Sequence, residues 1–316
     1  MNFKLRILNF RCIGHRRDAR LCVSTILFLI LSFFVCNKPA DNQSNAETFT
    51  NSIGMEFVKI PAGKYKTKTF GREVEFEFTK DFYLGKTEVT QKQYREVMEL
   101  VKKEEEAKTG KSEINANPSD FKPTECNFLV FCVERDLPVE QVSWNDAQKF
   151  IRKLNDIVGD GRDRPLQYRL PTEVEWEYAY RAGSHTDFYW GNTFDGNFAW
   201  HAGNSIKPDG KKGTHPVGLK KPNAFGLYDM AGNLWEWCED YYELPEIQLR
   251  KNPQELERIV DPKPLETSKK GLRGGSWSSS GTNNFRADNR NDDDPGDALS
   301  NRGFRLFAAP NDTPPE

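Results

Sequence analysis

The stretch Asn223-Ala-Phe-Gly-Leu-Tyr-Asp-Met-Ala-Gly-Asn-Leu-Trp-Glu-Trp-Cys238 decides how the rest of this 316-residue chain is read. It interleaves aromatic side chains with two glycines and two carboxylates, a pattern that is neither helix nor strand throughout. Further along stands Arg273-Gly-Gly-Ser-Trp277, and before it Trp190 and Trp200. Indoles in such number are costly to leave in water, so the region beyond Gly183, rich in Gly, Asn and Asp and poor in periodicity, is a packed body made mostly of loops. Such a body needs staples other than helix and sheet: ions, buried polar networks or disulfides.

Working outward, the N-terminal half carries periodic elements. Met55–Ile60, Val74–Phe78 and Phe82–Leu84 alternate or run apolar between glycines and predict strands. Thr90-Gln-Lys-Gln93 is a capping box, followed by Tyr94, Val97, Met98 and Val101 on one helical face. Ser143 with Asp146 opens a second helix, striped by Ala147, Phe150, Ile151 and Leu154 and ending near Gly159. In Arg169-Leu-Pro-Thr-Glu-Val-Glu-Trp-Glu-Tyr-Ala179, Thr172 and Glu175 form a third box, Trp176 and Ala179 point inward, and Gly183 stops the helix. The two-residue spacing of Glu173, Glu175 and Glu177 puts them on different faces, which argues against a glycosidase carboxylate pair. Glu243–Lys270, charged and broken by prolines, is expected as a surface excursion.

These motifs, with Arg273–Trp277 and the closing Gly303-Phe-Arg-Leu306, occur in an order that resembles the formylglycine-generating enzyme (sulfatase-modifying factor) family across Asn51 to Ala309. The resemblance implies an α+β, C-type-lectin-like formylglycine-generating-enzyme fold with low regular secondary-structure content. In the family's oxidising enzymes, two cysteines after the Arg-Gly-Gly-Ser segment bind copper(I), activate dioxygen and engage the substrate thiol. Here those positions are Ser279 and Asn284, hard groups where a soft ion wants thiolates, so copper and cysteine oxidation are not expected.

Asp229 to Trp237 offers the Asp229 carboxylate and main-chain carbonyls loosened by Gly232, a donor set suited to Ca²⁺; the other reading of Asp229 is a turn cap. The resemblance implies a structural calcium held by the Asp229 side chain and the carbonyls of Met230, Gly232 and Leu234, with a second site at Asn197, Phe198 and Asp209. Arg273, Ser276, Trp277, Arg286, Arg290 and Arg305 are the candidate groove and ligand-binding residues. Two readings stand for them. Gly274 and Gly275 let a ligand approach the backbone beside Ser276 and Trp277, or they make a crowded turn with Arg273 paired to an interior carboxylate. Arg286 and Arg305 fit buried guanidinium–carboxylate pairs, at positions that border the substrate-peptide groove in the family. No zinc spacing or serine-hydrolase elbow is present.

The ends add a location. Six basic residues up to Arg20 and the apolar run Leu21–Val35, too short to span a membrane comfortably, predict a signal peptide over 1–35. Cys36 would be the acylated first residue of a lipoprotein, with a retained N-terminal anchor as the other reading. Residues 36–51 are expected as a flexible tether, 52–309 as the domain and 310–316 as a polar tail. Cys126 and Cys132 would bridge and leave Cys238 free, or all three are buried thiols. The formal net charge is −2, and the leader removes mostly basic residues, so nucleic acid is not a partner. The expectation is an exported, membrane-attached protein of the cell envelope, a non-oxidase binding a peptide, glycan or protein. The alternative is a sulfatase-modifying oxidoreductase with altered chemistry.

Overall fold

Side-chain alternation along Glu56–Ile60 sets the layout. In the computed structural model, which describes residues 47–69, 72–122, 136–158, 166–207, 210–241, 257–260 and 269–310, Phe57 turns toward Tyr94, Phe150 and Tyr168. Val58 and Ile60 turn the other way, toward Phe82, Leu84 and Tyr178. Successive strand residues point to opposite faces, so this sheet is covered on both sides.

The described elements are, in order, β1 (Thr48–Thr50), β2 (Glu56–Ile60), β3 (Gly63–Thr69), β4 (Arg72–Phe78), β5 (Phe82–Gly85), α1 (Gln91–Thr109), α2 (Trp144–Ile157), β6 (Leu166–Arg169), α3 (Glu173–Arg181), β7 (Trp235–Tyr241), β8 (Glu257–Val260), β9 (Lys270–Arg273), a 3-10 turn (Thr282–Phe285), β10 (Asn291–Asp293), β11 (Arg302–Gly303) and β12 (Phe307–Pro310). Strands β1-β2-β5-β12-β6 form an antiparallel sheet in that order, so the last strand lies between two early ones. A second sheet runs β10-β9-β7-β11, and a third β3-β4-β8. Helices α1 and α2 cover one face of the first sheet, with the Tyr94 and Phe150 rings stacked at 5.6 Å.

All three helices start where their capping boxes predict, at Thr90, Ser143 and Thr172, each hydroxyl accepting the N3 amide while the N3 side chain accepts the cap amide. Helix α3 stops through two left-handed residues, Ala182 (φ 44°) and Gly183 (φ 86°). Among the described residues between Ala182 and Leu234 there are only turns, bends and isolated bridges, as the sequence suggested. Asn223 is one of its staples. Its Oδ1 accepts the Phe225 and Leu227 amides (both 3.1 Å), and its Nδ2 donates to Ala179 O (2.7 Å) and Tyr180 O (3.1 Å).

Three boundaries differ from the sequence reading. Thr48–Thr50, inside the expected tether, pairs with Glu56–Val58, and buried Asn51 accepts the Ile53 and Met55 amides through its side chain. Glu257–Val260, inside the expected surface excursion, adds a parallel strand to β4. Pro310, expected to open the tail, ends β12 opposite Leu166. The leader, Cys36, Cys126, Cys132, Gly159 and Asp209 lie outside the described residues. Among the described residues no helix is long and apolar enough to cross a membrane.

At Gly232 the chain has φ +83°, and a Cβ there would stand 2.2 Å from Trp200 O. Gly110, at φ +78°, faces open space. Thermal melts should therefore show Gly110→Ala losing about 1 kcal/mol, the cost of the left-handed backbone alone. Gly232→Ala should lose several-fold more, because main chain must move; equal losses would mean that the loop yields freely.

Candidate functional site

Every second residue of β7 turns away from the Trp235–Trp237 side, and that places Glu236 at the centre of the domain, 0 % exposed. Its carboxylate accepts Arg305 Nε and Nη2 (2.6 Å each) and Trp176 Nε1 (2.7 Å). Arg305 spends its remaining donors on Gly85 O (3.0 Å) and Tyr228 O (2.9 Å). One ion pair thus ties β7, α3, the end of β5, the loop before Asp229 and the Gly303–Leu306 segment. A second centre is Arg273, 1 % exposed, whose Nη2 meets Glu177 and whose Nη1 meets Asn289 O, both at 2.6 Å. Glu177 also takes Arg181 (2.8 Å) and the Thr67 hydroxyl (2.7 Å). Glu173 holds Arg290 by two 2.6 Å bonds, and Glu175 holds Arg169 by two 2.7 Å bonds. Each glutamate of the α3 motif is buried with its own arginine, which fits the absence of a carboxylate pair.

Arg273 and Arg305 therefore do not line a groove; both are interior, as the pairing alternative had it. Arg290 is mostly occupied by Glu173, its side chain 17 % exposed. Arg286 sits at the surface, paired with Asp187 (2.5 Å) and Asp288 (3.1 Å), and lines a cleft of about 400 Å³ with Lys66, Arg181 and His185. The guanidinium beside Asp288 holds that carboxyl below its usual range against the opposing effect of burial, which is the largest.

The Asp229 loop contains a second feature of note. Asp229 has a left-handed backbone (φ 53°), and its Oδ2 accepts the Gly218 amide at 2.6 Å, the bond of a turn cap. Its Oδ1 is buried and has no hydrogen-bond partner. Burial pushes its pKa up to about 6, offset partly by the Gly218 amide and Arg305. Glu88, which sequence reasoning missed, accepts the Leu234 amide (3.1 Å) and Asn233 Nδ2 (2.9 Å). Burial first, then the charges of Asp229 and Glu236, raise its pKa well above the carboxylate range. Buried, unpartnered Oδ1 fits a cation at this oxygen. Among the described residues no three His, Cys, Asp or Glu side chains converge on a metal-binding point, so a cation here would rest on Asp229 and main-chain oxygens.

At the expected second site, Asn197 O accepts the Lys221 amide (3.2 Å) and Phe198 O accepts the Tyr189 hydroxyl (3.4 Å). The Lys220 ammonium sits beside them, donating to Gly196 O at 2.6 Å and lying 3.9 Å from the Trp200 ring centroid. A tethered cation already occupies the neighbourhood. Nothing in the spacing of Lys220 announces this.

The Arg273–Trp277 segment makes the crowded turn. A Cβ on Gly275 would meet the Phe285 ring at 2.8 Å. Ser276 is buried, its amide donates to Ser279 Oγ (3.1 Å), and its hydroxyl lies 3.0 Å from that of Ser278 and 3.4 Å from that of Ser279. Ser279 O accepts the Ala202 amide (3.0 Å), and Asn284 O accepts Asn289 Nδ2 (3.4 Å). Trp277 lies half-buried over this turn, donating Nε1 to Ser300 O (2.9 Å) and meeting Phe121 edge-on at 5.3 Å. Cys238 is a free thiol in the core, and burial pushes its pKa far up, so it is held as the unreactive thiol.

The family profile for the sulfatase-modifying factor enzyme 1-like domain matches residues 42–310. The chain is 34 % identical to a formylglycine-generating enzyme of Thermomonospora curvata over 188 residues, 55 % of this chain and 56 % of that protein. It is 28 % identical to the chaperone protein LppX of Paenibacillus barcinonensis over 273 residues, 72 % of this chain and 81 % of that one. The matched region thus spans about half the length of the formylglycine-generating enzyme and most of the chaperone. Among solved structures, Treponema denticola variable protein 1 superposes with a TM-score of 0.62 at 27 % identity, covering 84 % of this chain and 99 % of that chain.

Asp240, 6 % exposed, accepts the Glu173 amide at the start of α3, and burial pushes its pKa up to about 7 despite that bond. The folded state then keeps this proton at pH values where the unfolded chain has lost it, so the stability Asp240 contributes is present near pH 4 and is lost as pH climbs through 7. Urea melts of wild type and Asp240→Asn should show the variant gaining on the wild type by roughly 3 kcal/mol across that window and by nothing further above pH 8. A constant difference would place the carboxyl in an unshifted environment.

Proposed function

Because this chain belongs to the sulfatase-modifying factor family, we propose that it uses the family's domain to bind a polypeptide partner at the cell envelope and does not oxidise cysteine. The observation that carries this reading is the state of the two positions where the oxidising enzymes have cysteine. Ser279 is 9 % exposed and its hydroxyl caps the Ser276 amide, while Asn284 offers an amide group. Neither side chain can supply a thiolate to copper(I) or a disulfide to a substrate thiol. Similarity over most of its length to a protein named a chaperone supports partner binding and, with the basic leader and Cys36, supports a lipid-attached envelope protein.

The partner would meet the surface around half-buried Trp277, since Arg273, Arg305 and Ser276 face inward. In cells, a photo-crosslinking residue at position 277 should yield polypeptide adducts, and the same probe at exposed Leu100 on α1 should not. Adducts from both positions, or from neither, would count against a partner site here. Mass spectrometry of a sulfatase-type cysteine peptide, incubated aerobically with the chain and copper(I), should find no formylglycine. A formylglycine product would favour the oxidoreductase reading, to which the 34 % identity with a formylglycine-generating enzyme lends weight.

A calcium ion at the Asp229 loop is part of the same proposal, with Asp229 Oδ1 and the carbonyls of Met230, Gly232 and Leu234 as its holders. Bound only by the folded state, it would stabilise by about 2.7 kcal/mol at a hundredfold excess over Kd. EDTA should lower the melting temperature of the wild type, and Asp229→Asn should melt at one temperature with or without it. An EDTA-insensitive wild type would leave Asp229 as the turn cap of Gly218.

A further inference from the structure

Between Ile206 and Lys221 the chain carries five lysines and a single acid, Asp209, in a protein whose formal net charge is −2. Lys220 and Lys221 of this run sit on Trp200 and Phe198, and Lys207, Lys211 and Lys212 carry the local positive charge. It coincides with exposed apolar surface. Ile206 is 56 % exposed and forms a bridge with Lys212, while Leu299 is 45 % exposed beside Ser300, the residue that accepts the Trp277 indole. Between them stands the Phe121–Trp277 pair, with Ser205 donating to Trp277 O (2.9 Å) and Gly213 packed under Phe121.

We infer that this face, with Ile206, Trp277 and Leu299 at its centre and Lys207, Lys211 and Lys212 along its edge, docks an acidic polypeptide segment that carries an apolar side chain. The inference rests on the partner-binding reading above and names the chemistry of the partner. Charge complementarity selects an acidic occupant, because lysines along one edge of a patch on an otherwise acidic protein attract acidic chains and repel basic ones. Aliphatic exposure selects the anchor. A sugar ring would need an open aromatic face, whereas Phe121 has the Lys207 ammonium 4.6 Å from its centroid and meets Trp277 at 88°. Ile206 and Leu299 leave an apolar surface that a Leu or Phe side chain covers. Asp120, beside Phe121 in the chain, is exposed, and its carboxylate accepts Gln141 Nε2 at 2.6 Å.

The test uses the full-length chain and a fluorescein-labelled peptide of Glu and Asp residues around a central Phe-Leu pair, read by anisotropy. Binding should weaken steeply with salt, fall at least tenfold in the Lys211→Glu/Lys212→Glu variant, and fall comparably in Ile206→Asp, with melting temperatures of both variants near wild type. Replacing the Phe-Leu pair by Ala-Ala should weaken binding, and replacing the acids by Lys should abolish it. Equal binding of the lysine peptide, or full binding by the charge-reversed variant, overturns the inference. So does a heparin fragment that binds in a lysine-dependent way while the acidic peptide does not, since the face would then read an anionic polysaccharide. The two levels separate cleanly. If position 277 crosslinks a partner in cells and charge reversal leaves that adduct unchanged, the partner reading stands and the acidic-segment inference falls.

Discussion

The pair between Glu236 and Arg305 is the constraint on which the rest of the domain depends. Both groups are fully enclosed, and removing either would strand the other's charge away from water, at a typical cost of about 3–5 kcal/mol. That penalty makes the pair obligatory once the fold exists, though not a large net source of stability. Its use is geometric. Arg305 has donors in a rigid fork, and its bonds to Glu236, Gly85 O and Tyr228 O admit one arrangement of a strand, a strand end and a loop that have little sequence-local reason to meet. In a body with so few regular elements, ion pairs and side-chain amides do what sheet ladders do elsewhere.

The same logic repeats around α3. Helix α3 is buried nearly all round, a situation that ordinarily calls for apolar residues on every face, yet it carries Glu173, Glu175 and Glu177. Each is matched by arginine from a different part of the chain: Arg290, Arg169 and Arg273. The helix is fixed in rotation and height by three charge-assisted contacts, and Trp176 thereby reaches Glu236. Burial away from water, and after it the charge of neighbouring carboxylates, makes groups near the networks, Glu88 and Asp240 among them, hold their protons more tightly than free carboxyls do.

What could be read from the sequence was what is local. The capping boxes at Thr90, Ser143 and Thr172 were legible because all their atoms lie within four residues, and the apolar stripes behind them because helical periodicity repeats at short range. Arg305 was legible as a buried arginine through the family resemblance, but its partner was not. Glu236 stands 69 positions away, and no spacing rule links them. Glu88 meets Leu234 across 146 positions, so a residue central to the Asp229 loop gave no signal at all. Thr48–Thr50 was assigned to the tether because three residues of strand carry too little pattern to separate from polar linker; only pairing with β2 defines them. Ser276 and Arg273 belonged to a motif that supports either a ligand turn or a packed one, and burial alone decided for the second.

The position of β12 has a consequence for how this protein comes into being. Because Phe307–Pro310 lies between β5 and β6, the first sheet has a gap at its middle until the C-terminal strand is present, and Gly85 lacks the Leu306 carbonyl that its amide donates to. A ribosome delivers β12 after every other element described above. Until β12 is made the first sheet therefore stays open, and until Arg305 is made Glu236 lacks its partner. Closure of this sheet waits for β12, with contacts that span almost the entire domain forming late and slowly. Until that closure the first sheet stays open enough to be threaded.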